Sequence, residues 1–118
     1  MKILTKRVYE QAAKEDGVRI LVDRIWPRGL TKEKAHVDIW MKDIAPSTEL
    51  RKWYNHDPDK WAEFKLRYFK ELNANKTALQ NISEEANGNT LTLVYSAKEG
   101  EYNNARALKE YMESHGFH

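Results

Sequence analysis

The stretch VRILVDRIWPRG at residues 18–29 joins an aliphatic run to a polar turn that contains proline. Its apolar side chains from Val18 to Val22 are nearly continuous, which is typical of a strand covered on both faces of a parallel sheet. The change to polar residues at Asp23 indicates where this strand ends. The sequence therefore predicts a central strand whose carboxyl end leads into an arginine-containing loop.

Two further strands and a short helix are predicted on either side of this stretch. Residues 3–8 and 90–95 are short runs of β-branched and aliphatic residues bounded by polar ones, as strands usually are. Thr31 can cap a short helix through Ala35, because its hydroxyl can accept a hydrogen bond from a free backbone N–H.

The assignment of residues 37–44 is open between strand and helix. Val37 and Ile39 alternate as in a strand, whereas Val37 and Trp40 also fall on one face of a helix. We predict a strand, because Pro46 follows almost at once and the residue before a proline disfavours helix.

The second half of the chain is predicted to be mainly helical. Capping residues and helical spacing of the apolar side chains mark each helix. The predicted helices run from Ser47 to about Asn55, from Asp57 toward Glu85 with a break near residues 73–75, and from Asn103 or Asn104 to Gly116.

The order of these elements, β β α β α α β α, favours a parallel sheet because helices separate most of the strands. We predict one domain over residues 1–118 with an α/β fold in three layers: a mainly parallel four-stranded sheet with helices on both faces. In such sheets, ligands bind outside the carboxyl ends of the strands. Functional residues are therefore expected in the loops that follow the strands.

Composition limits the class of protein. With 41% hydrophobic residues among 118, the chain can supply one modest core, and 20 Lys and Arg against 18 Asp and Glu are too evenly balanced to indicate a polyanion partner. No apolar run approaches the roughly 20 residues that span a bilayer, and no signal peptide is recognisable. The sequence contains no cysteine, which excludes disulfides and thiol catalysis. We expect a cytoplasmic protein without membrane contact.

Three loops that follow predicted strands should meet at one rim of the sheet. They contain arginines, whose guanidinium groups can bind phosphate or carboxylate with two parallel hydrogen bonds, and they run into helix starts that add partial positive charge. The predicted ligand-binding residues are Asp23, Arg24, Trp26, Arg28, Ser47, Arg51, Lys98 and Asn104.

Several of these residues also have a purely structural interpretation. Asp23 can pair with a nearby arginine, Trp26 can anchor its loop under the sheet, and Ser47 is a helix cap before it is a ligand donor. The four histidines lack metal-ligand spacing, so no metal site is predicted, and only His56, beside Asp57, is an acid–base candidate. No strong nucleophile, phosphate-loop or dinucleotide motif is present, so catalytic residues and cofactors stay unassigned.

Three motifs carry a resemblance to a known family: VDRIWPRG at residues 22–29, KDIAPSTELR at 42–51 and LTLVYSAK at 91–98. They closely resemble the YeaO-like branch of domain-of-unknown-function family 488, and the match covers almost the whole chain. The resemblance implies a bacterial or archaeal cytoplasmic α/β domain with no established activity, cofactor or partner. Other branches carry Cys and His near the last strand, where this chain has Tyr95, Asn103 and Asn104. Thiol or metal chemistry is therefore not implied here.

Three functions are compatible with these observations. The leading expectation is that the rim binds, and in one version processes, a small anionic ligand that is phosphate- or nucleotide-like. A nucleic-acid-binding module is the second, because aromatic and cationic residues are interleaved. A non-catalytic protein interaction domain, in which the rim charges only hold loops together, is the third. The first expectation fails if the rim residues lie apart or if every guanidinium is paired with an internal carboxylate.

Overall fold

Four parallel strands form the sheet of this computed structural model, which describes residues 1–117. They are β1 (Ile3–Arg7), β2 (Val18–Leu21), β3 (Ile39–Trp40) and β4 (Leu91–Tyr95), in the spatial order β1-β4-β2-β3. In this order the last strand of the sequence, β4, lies between β1 and β2. Each neighbouring pair of strands is parallel. The carboxyl ends of all four strands consequently point to the same edge of the sheet.

Among the described residues, five α-helices accompany the sheet: α1 (Lys32–Ala35), α2 (Thr48–Tyr54), α3 (Trp61–Asn73), α4 (Lys76–Ala86) and α5 (Asn104–Ser114). The predicted caps of α1, α2 and α5 are confirmed. The side chains of Thr31, Ser47 and Asn103 each accept a hydrogen bond from a backbone N–H of the first helical turn. No helix within residues 1–117 is both long enough and apolar enough to cross a membrane.

The core lies on both faces of the sheet and is larger on one of them. Ile20 and Leu93 point into the larger cluster, which α2, α3, α4 and α5 cover. Their chain neighbours Leu21 and Val94 point the other way, into a smaller cluster with Ala35 of α1. This alternation follows from the two-residue period of a strand, and it confirms the predicted arrangement of helices on both faces.

The prediction for residues 37–44 is confirmed only at its centre. β3 pairs with β2 through Ile39 and Trp40, and the backbone N–H of Met41 still donates to the Leu21 carbonyl at 2.9 Å. Residues 42–44 instead form a single 3-10 turn. Beyond Leu21, the next carbonyl that a parallel ladder would use is that of Asp23, and it accepts instead from the Trp40 indole N–H at 2.7 Å.

A buried ion pair holds the segment before β2 against the sheet. Asp16 accepts hydrogen bonds from Arg19 at 2.6 Å and from Lys6 at 3.2 Å, and also from the backbone N–H of Ala13 at 2.9 Å. Burial by itself would raise the pKa of Asp16, but these three donors outweigh burial and hold its pKa below the ordinary value of 3.8. Asp16 is therefore a structural anion that is fully charged at neutral pH.

Candidate anion-binding cavity

A cavity of about 680 Å³ opens at the edge of the sheet where the carboxyl ends of the strands meet. Its walls come from the segments that follow β1, β2 and β4, from the loop before α2, and from α2 itself. Seven of the eight predicted residues line it: Asp23, Arg24, Trp26, Arg28, Arg51, Lys98 and Asn104. Parallel pairing thus brings together side chains that are far apart in the sequence.

Ser47 is the predicted residue that does not line the cavity, and its prediction as a ligand donor is not supported by its position. Its hydroxyl donates to Glu71 of α3 at 2.6 Å and accepts from the Leu50 N–H at 3.1 Å, while its backbone N–H donates to the same carboxylate at 2.8 Å. These contacts engage Ser47 in joining α2 to α3. The capping interpretation is the one that its geometry fits.

Asp23 binds neutral donors rather than a cation. One carboxylate oxygen accepts from the backbone N–H of Ser96 at 2.9 Å and from its hydroxyl at 2.8 Å, and the other accepts from the Asn104 side chain at 3.0 Å. The Asn104 amide also donates to the Val22 carbonyl at 3.0 Å. Asp23 therefore ties the end of β2 to the end of β4 and the start of α5, and it neutralises none of the nearby arginines.

Positive charge at the cavity is not cancelled by ion pairs. The cationic side chains that line it are Arg7, Arg24, Arg28, Arg51 and Lys98. Within residues 1–117, the cations that lie within 4.0 Å of a carboxylate are Lys6, Arg19, Lys65 and Arg67, and none of them lines this cavity. The carboxylates in the lining are Asp23 and Glu99, so positive groups outnumber negative ones.

Arg24 and Arg7 are held by backbone carbonyls. Arg24 donates from Nε to the Pro46 carbonyl and from Nη2 to the Ala45 carbonyl, both at 3.2 Å. Neutral carbonyls orient a guanidinium without removing its charge, and the remaining N–H groups stay able to donate. The condition that would have ended the anion-binding hypothesis, occupation of every guanidinium by a carboxylate, is not met in the described part of the chain.

Two residues that line the cavity, Arg7 and Tyr9, were not predicted from the sequence. They reach the cavity because they lie at and just after the carboxyl end of β1. Arg7 ends β1, donates from Nε to the carbonyls of Ser96 at 3.3 Å and Ala97 at 3.1 Å, and lies 4.6 Å above the ring centre of Tyr9. The rule that ligands bind beyond the carboxyl ends of parallel strands applies to β1 as well. The available signal was the end of the first predicted strand, but its place beside β4 depends on long-range pairing.

Trp26 lines the cavity as a half-buried anchor of its loop. Its indole N–H donates to the Leu30 carbonyl at 2.7 Å, and its ring meets that of Trp40 edge-on, with 5.3 Å between ring centres. The indole nitrogen is therefore already used inside the protein. Any contribution of Trp26 to a ligand is restricted to the part of its ring that faces the cavity.

The remaining wall includes His56 and Tyr54. His56, the acid–base candidate, lines the cavity. It is exposed, and its backbone lies in the left-handed region with φ 55°. The Tyr54 hydroxyl donates to the Tyr102 carbonyl at 2.9 Å. Burial, followed by the nearby charges of Glu99 and Asp57, raises the pKa of Tyr54, so this phenol stays protonated at neutral pH.

No group of three or more potential metal ligands occurs in the part of the chain that the structure describes, which ends before His118. The cavity therefore presents cations and neutral hydrogen-bond donors, with no cluster of acidic or imidazole ligands among those residues. This set of groups suits a ligand that carries negative charge.

Comparison with known sequences identifies the family. The family model described as the inactive DUF488-N3 subclade matches residues 2–116. The chain belongs to this subclade. The family resemblance predicted from the three motifs is thereby confirmed.

Bacterial members of the family cover nearly the same length. Uncharacterized protein YeaO of Escherichia coli strain K12 is 42% identical over 114 residues, which are 97% of this chain and 99% of that protein. Uncharacterized protein Rv3073c of Mycobacterium tuberculosis strain H37Rv is 39% identical over 111 residues, which are 94% of this chain and 93% of that protein. No solved structure matches the chain significantly. The names of these relatives assign no ligand, so the cavity is the feature from which function is inferred.

Proposed function

We propose that the cavity at the carboxyl edge of the sheet binds a small anionic ligand, phosphate- or nucleotide-like, and that the protein does so in the cytoplasm. The observation that carries this proposal is the set of five cationic side chains around one cavity, with no carboxylate of residues 1–117 within 4.0 Å of any of them. Cations that converge without counter-ions repel one another, and a bound anion relieves that repulsion.

Binding without turnover is the form of this function that we favour. The family is described as inactive. Asp23, a carboxylate of the cavity, already accepts three hydrogen bonds from Ser96 and Asn104. A carboxylate held in this way is engaged in supporting the cavity wall.

The test is calorimetric titration of the protein with ligands selected by a thermal-shift screen of phosphate, pyrophosphate, nucleotides and sugar phosphates. A ligand that binds only the folded state raises the unfolding midpoint. Arg28→Ala is expected to weaken binding by about 1–3 kcal/mol, because it removes a charge-assisted hydrogen bond. Lys34→Ala removes the same charge from exposed α1, outside the cavity, and should leave the affinity unchanged.

Two results would contradict the proposal. One is unchanged affinity in both Arg28→Ala and Arg51→Ala. The other is failure of every anion in the screen, combined with oligonucleotide binding that falls steeply as salt increases. The second result would favour a nucleic-acid-binding module instead.

A further inference from the structure

The cavity is much larger than a phosphate group needs. Its volume of about 680 Å³ lies in the range of roughly 300–1,000 Å³ that is typical of sites for organic ligands. A single phosphate group in contact with one or two of the arginines would leave most of this space to water. The size of the cavity indicates that the anionic group is one part of a larger ligand.

Exposed apolar side chains are concentrated at this cavity. The large hydrophobic residues exposed to solvent within residues 1–117 are Tyr9 at 41%, Ile25 at 58%, Leu66 at 61% and Tyr102 at 38%. All except Leu66 line the cavity. Single exposed hydrophobic residues are ordinary, but three that come from separate segments and surround one cavity mark a contact surface for an apolar group.

The apolar side chains continue inward from the exposed residues. Ala45, Pro46 and Phe64, which are buried, and Ala97, which is half-buried, also line the cavity, together with the five cations. A ligand that fits both sets must carry negative charge and an apolar body within a short distance. A long acyl chain fits less well, because its charge is confined to one end while five cationic side chains line this cavity.

The tyrosine and arginine side chains of the cavity pack best against a flat, aromatic part of a ligand. Tyr9 already lies under the guanidinium of Arg7, with 4.6 Å between the guanidinium carbon and the ring centre. Tyr102 is 38% exposed, and its ring also packs against that of Trp61 with 5.5 Å between ring centres. Tyrosine rings and guanidinium planes stack on nucleobases whatever the base, because every base has a π-face. Resting on the proposed anion-binding function, we propose that the ligand is a nucleoside phosphate. Its phosphate is held by the cavity cations, and its base packs against Tyr9, Ile25 and Tyr102.

The experiment compares inorganic phosphate with adenosine and uridine monophosphates by calorimetry on the intact protein. Both nucleotides are expected to bind at least about tenfold more tightly than inorganic phosphate. Tyr102→Ala should weaken nucleotide binding by about 5- to 100-fold, since a base–aromatic stack is removed. The same change should leave phosphate affinity within about twofold of wild type. Tyr102→Phe keeps the ring and should bind like wild type.

Controls separate loss of contact from loss of folding. Leu66→Ala removes the exposed hydrophobic residue of α3 that lies outside the cavity and should change neither affinity. Ile25→Ala serves as a second variant, because Ile25 is 58% exposed and its truncation leaves the core intact. The thermal midpoint of each variant reports whether it folds.

The outcomes distinguish this inference from the function on which it rests. If phosphate binds and the nucleotides bind no more tightly, the nucleoside phosphate is wrong and the anion site stands. If nucleotides bind tightly but Ile25→Ala and Tyr102→Ala have no effect, the placement of the base is wrong. If neither phosphate nor nucleotide binds, both proposals fail.

Discussion

At the scale of single residues, Asp23 shows how hydrogen bonds from neutral groups hold the cavity wall together. Its carboxylate accepts three hydrogen bonds from Ser96 and Asn104, which lie 73 and 81 residues away along the chain. A carboxylate that accepts several hydrogen bonds from neutral groups is stabilised without a cationic partner. The neighbouring Arg24 donates instead to backbone carbonyls.

Replacing Asp23 by Ala is expected to lower the free energy of unfolding by about 1–3 kcal/mol, because the Ser96 and Asn104 donors lose their acceptor in a half-buried site. Urea denaturation at pH 7 measures this loss. Asp43→Ala, at an exposed aspartate of the 3-10 turn, should change stability by less than about 0.5 kcal/mol. Equal stability of the two variants would show that Asp23 does not hold the strand ends together.

At the scale of elements, the start of α2 is joined to α3 through one serine and one glutamate. Ser47 accepts from the Leu50 N–H, as an N-cap does, and it donates from its hydroxyl and backbone N–H to Glu71. The contact also fixes the loop in which Ala45 and Pro46 line the cavity and accept the Arg24 hydrogen bonds. A helix cap outside the cavity therefore helps to shape one of its walls.

Ser47→Ala is expected to lower the free energy of unfolding by about 1–2 kcal/mol, because it removes the helix cap and a hydrogen bond to a carboxylate. Ligand affinity measured at a temperature where the variant is folded should stay within about threefold of wild type, since Ser47 does not line the cavity and its backbone N–H can still donate to Glu71 and hold the wall. Thr48→Ala, at the exposed first residue of α2, is the matched control for stability. A large loss of affinity with normal stability would restore Ser47 as a ligand donor.

At the scale of the whole molecule, charges are used in two different ways. Asp16 is buried between Arg19 and Lys6, where opposite charges pair and stabilise the fold. None of these three residues lines the cavity, and within residues 1–117 no cation of the cavity lies within 4.0 Å of a carboxylate. A net charge of only +2 therefore conceals a local excess of positive charge at one edge of the sheet.

Acid is expected to destabilise the protein through Asp16. Its pKa in the folded state is lowered below 3.8, so its ionisation stabilises the fold above the unfolded pKa, near 3.8, and this contribution is lost as pH falls through the lower folded pKa. Urea denaturation between pH 7 and pH 2.5 should show Asp16→Asn well below wild type at pH 7, and the difference should shrink below about pH 4. Glu33→Gln, an exposed control on α1, should not show this convergence. A difference independent of pH would contradict the role of the charge.

Most of the elements could be predicted from the sequence because their signals are local. The aliphatic run of β2, the cap of α1 at Thr31 and the cap of α5 at Asn103 each depend on residues within one or two turns of each other. The parallel pairing of the strands could also be predicted, since helices separate most of the strands along the sequence. The length of β3 could not be predicted, because it depends on which carbonyls of the neighbouring β2 segment are left for the backbone of β3 to bind.

The composition of the cavity was decided partly by sequence and partly by tertiary structure. The loops after the predicted strands and the rule for parallel sheets were sufficient to place Asp23, Arg24, Arg28, Arg51 and Lys98 at the edge that carries the cavity. Only the strand order β1-β4-β2-β3 brings Arg7 and Tyr9 to the same cavity, and only packing directs Ser47 toward Glu71 and the Trp26 indole N–H toward Leu30. A side chain chooses its hydrogen-bond partner among groups that the folded chain brings within about 3 Å, and those groups come from segments whose proximity no local pattern encodes.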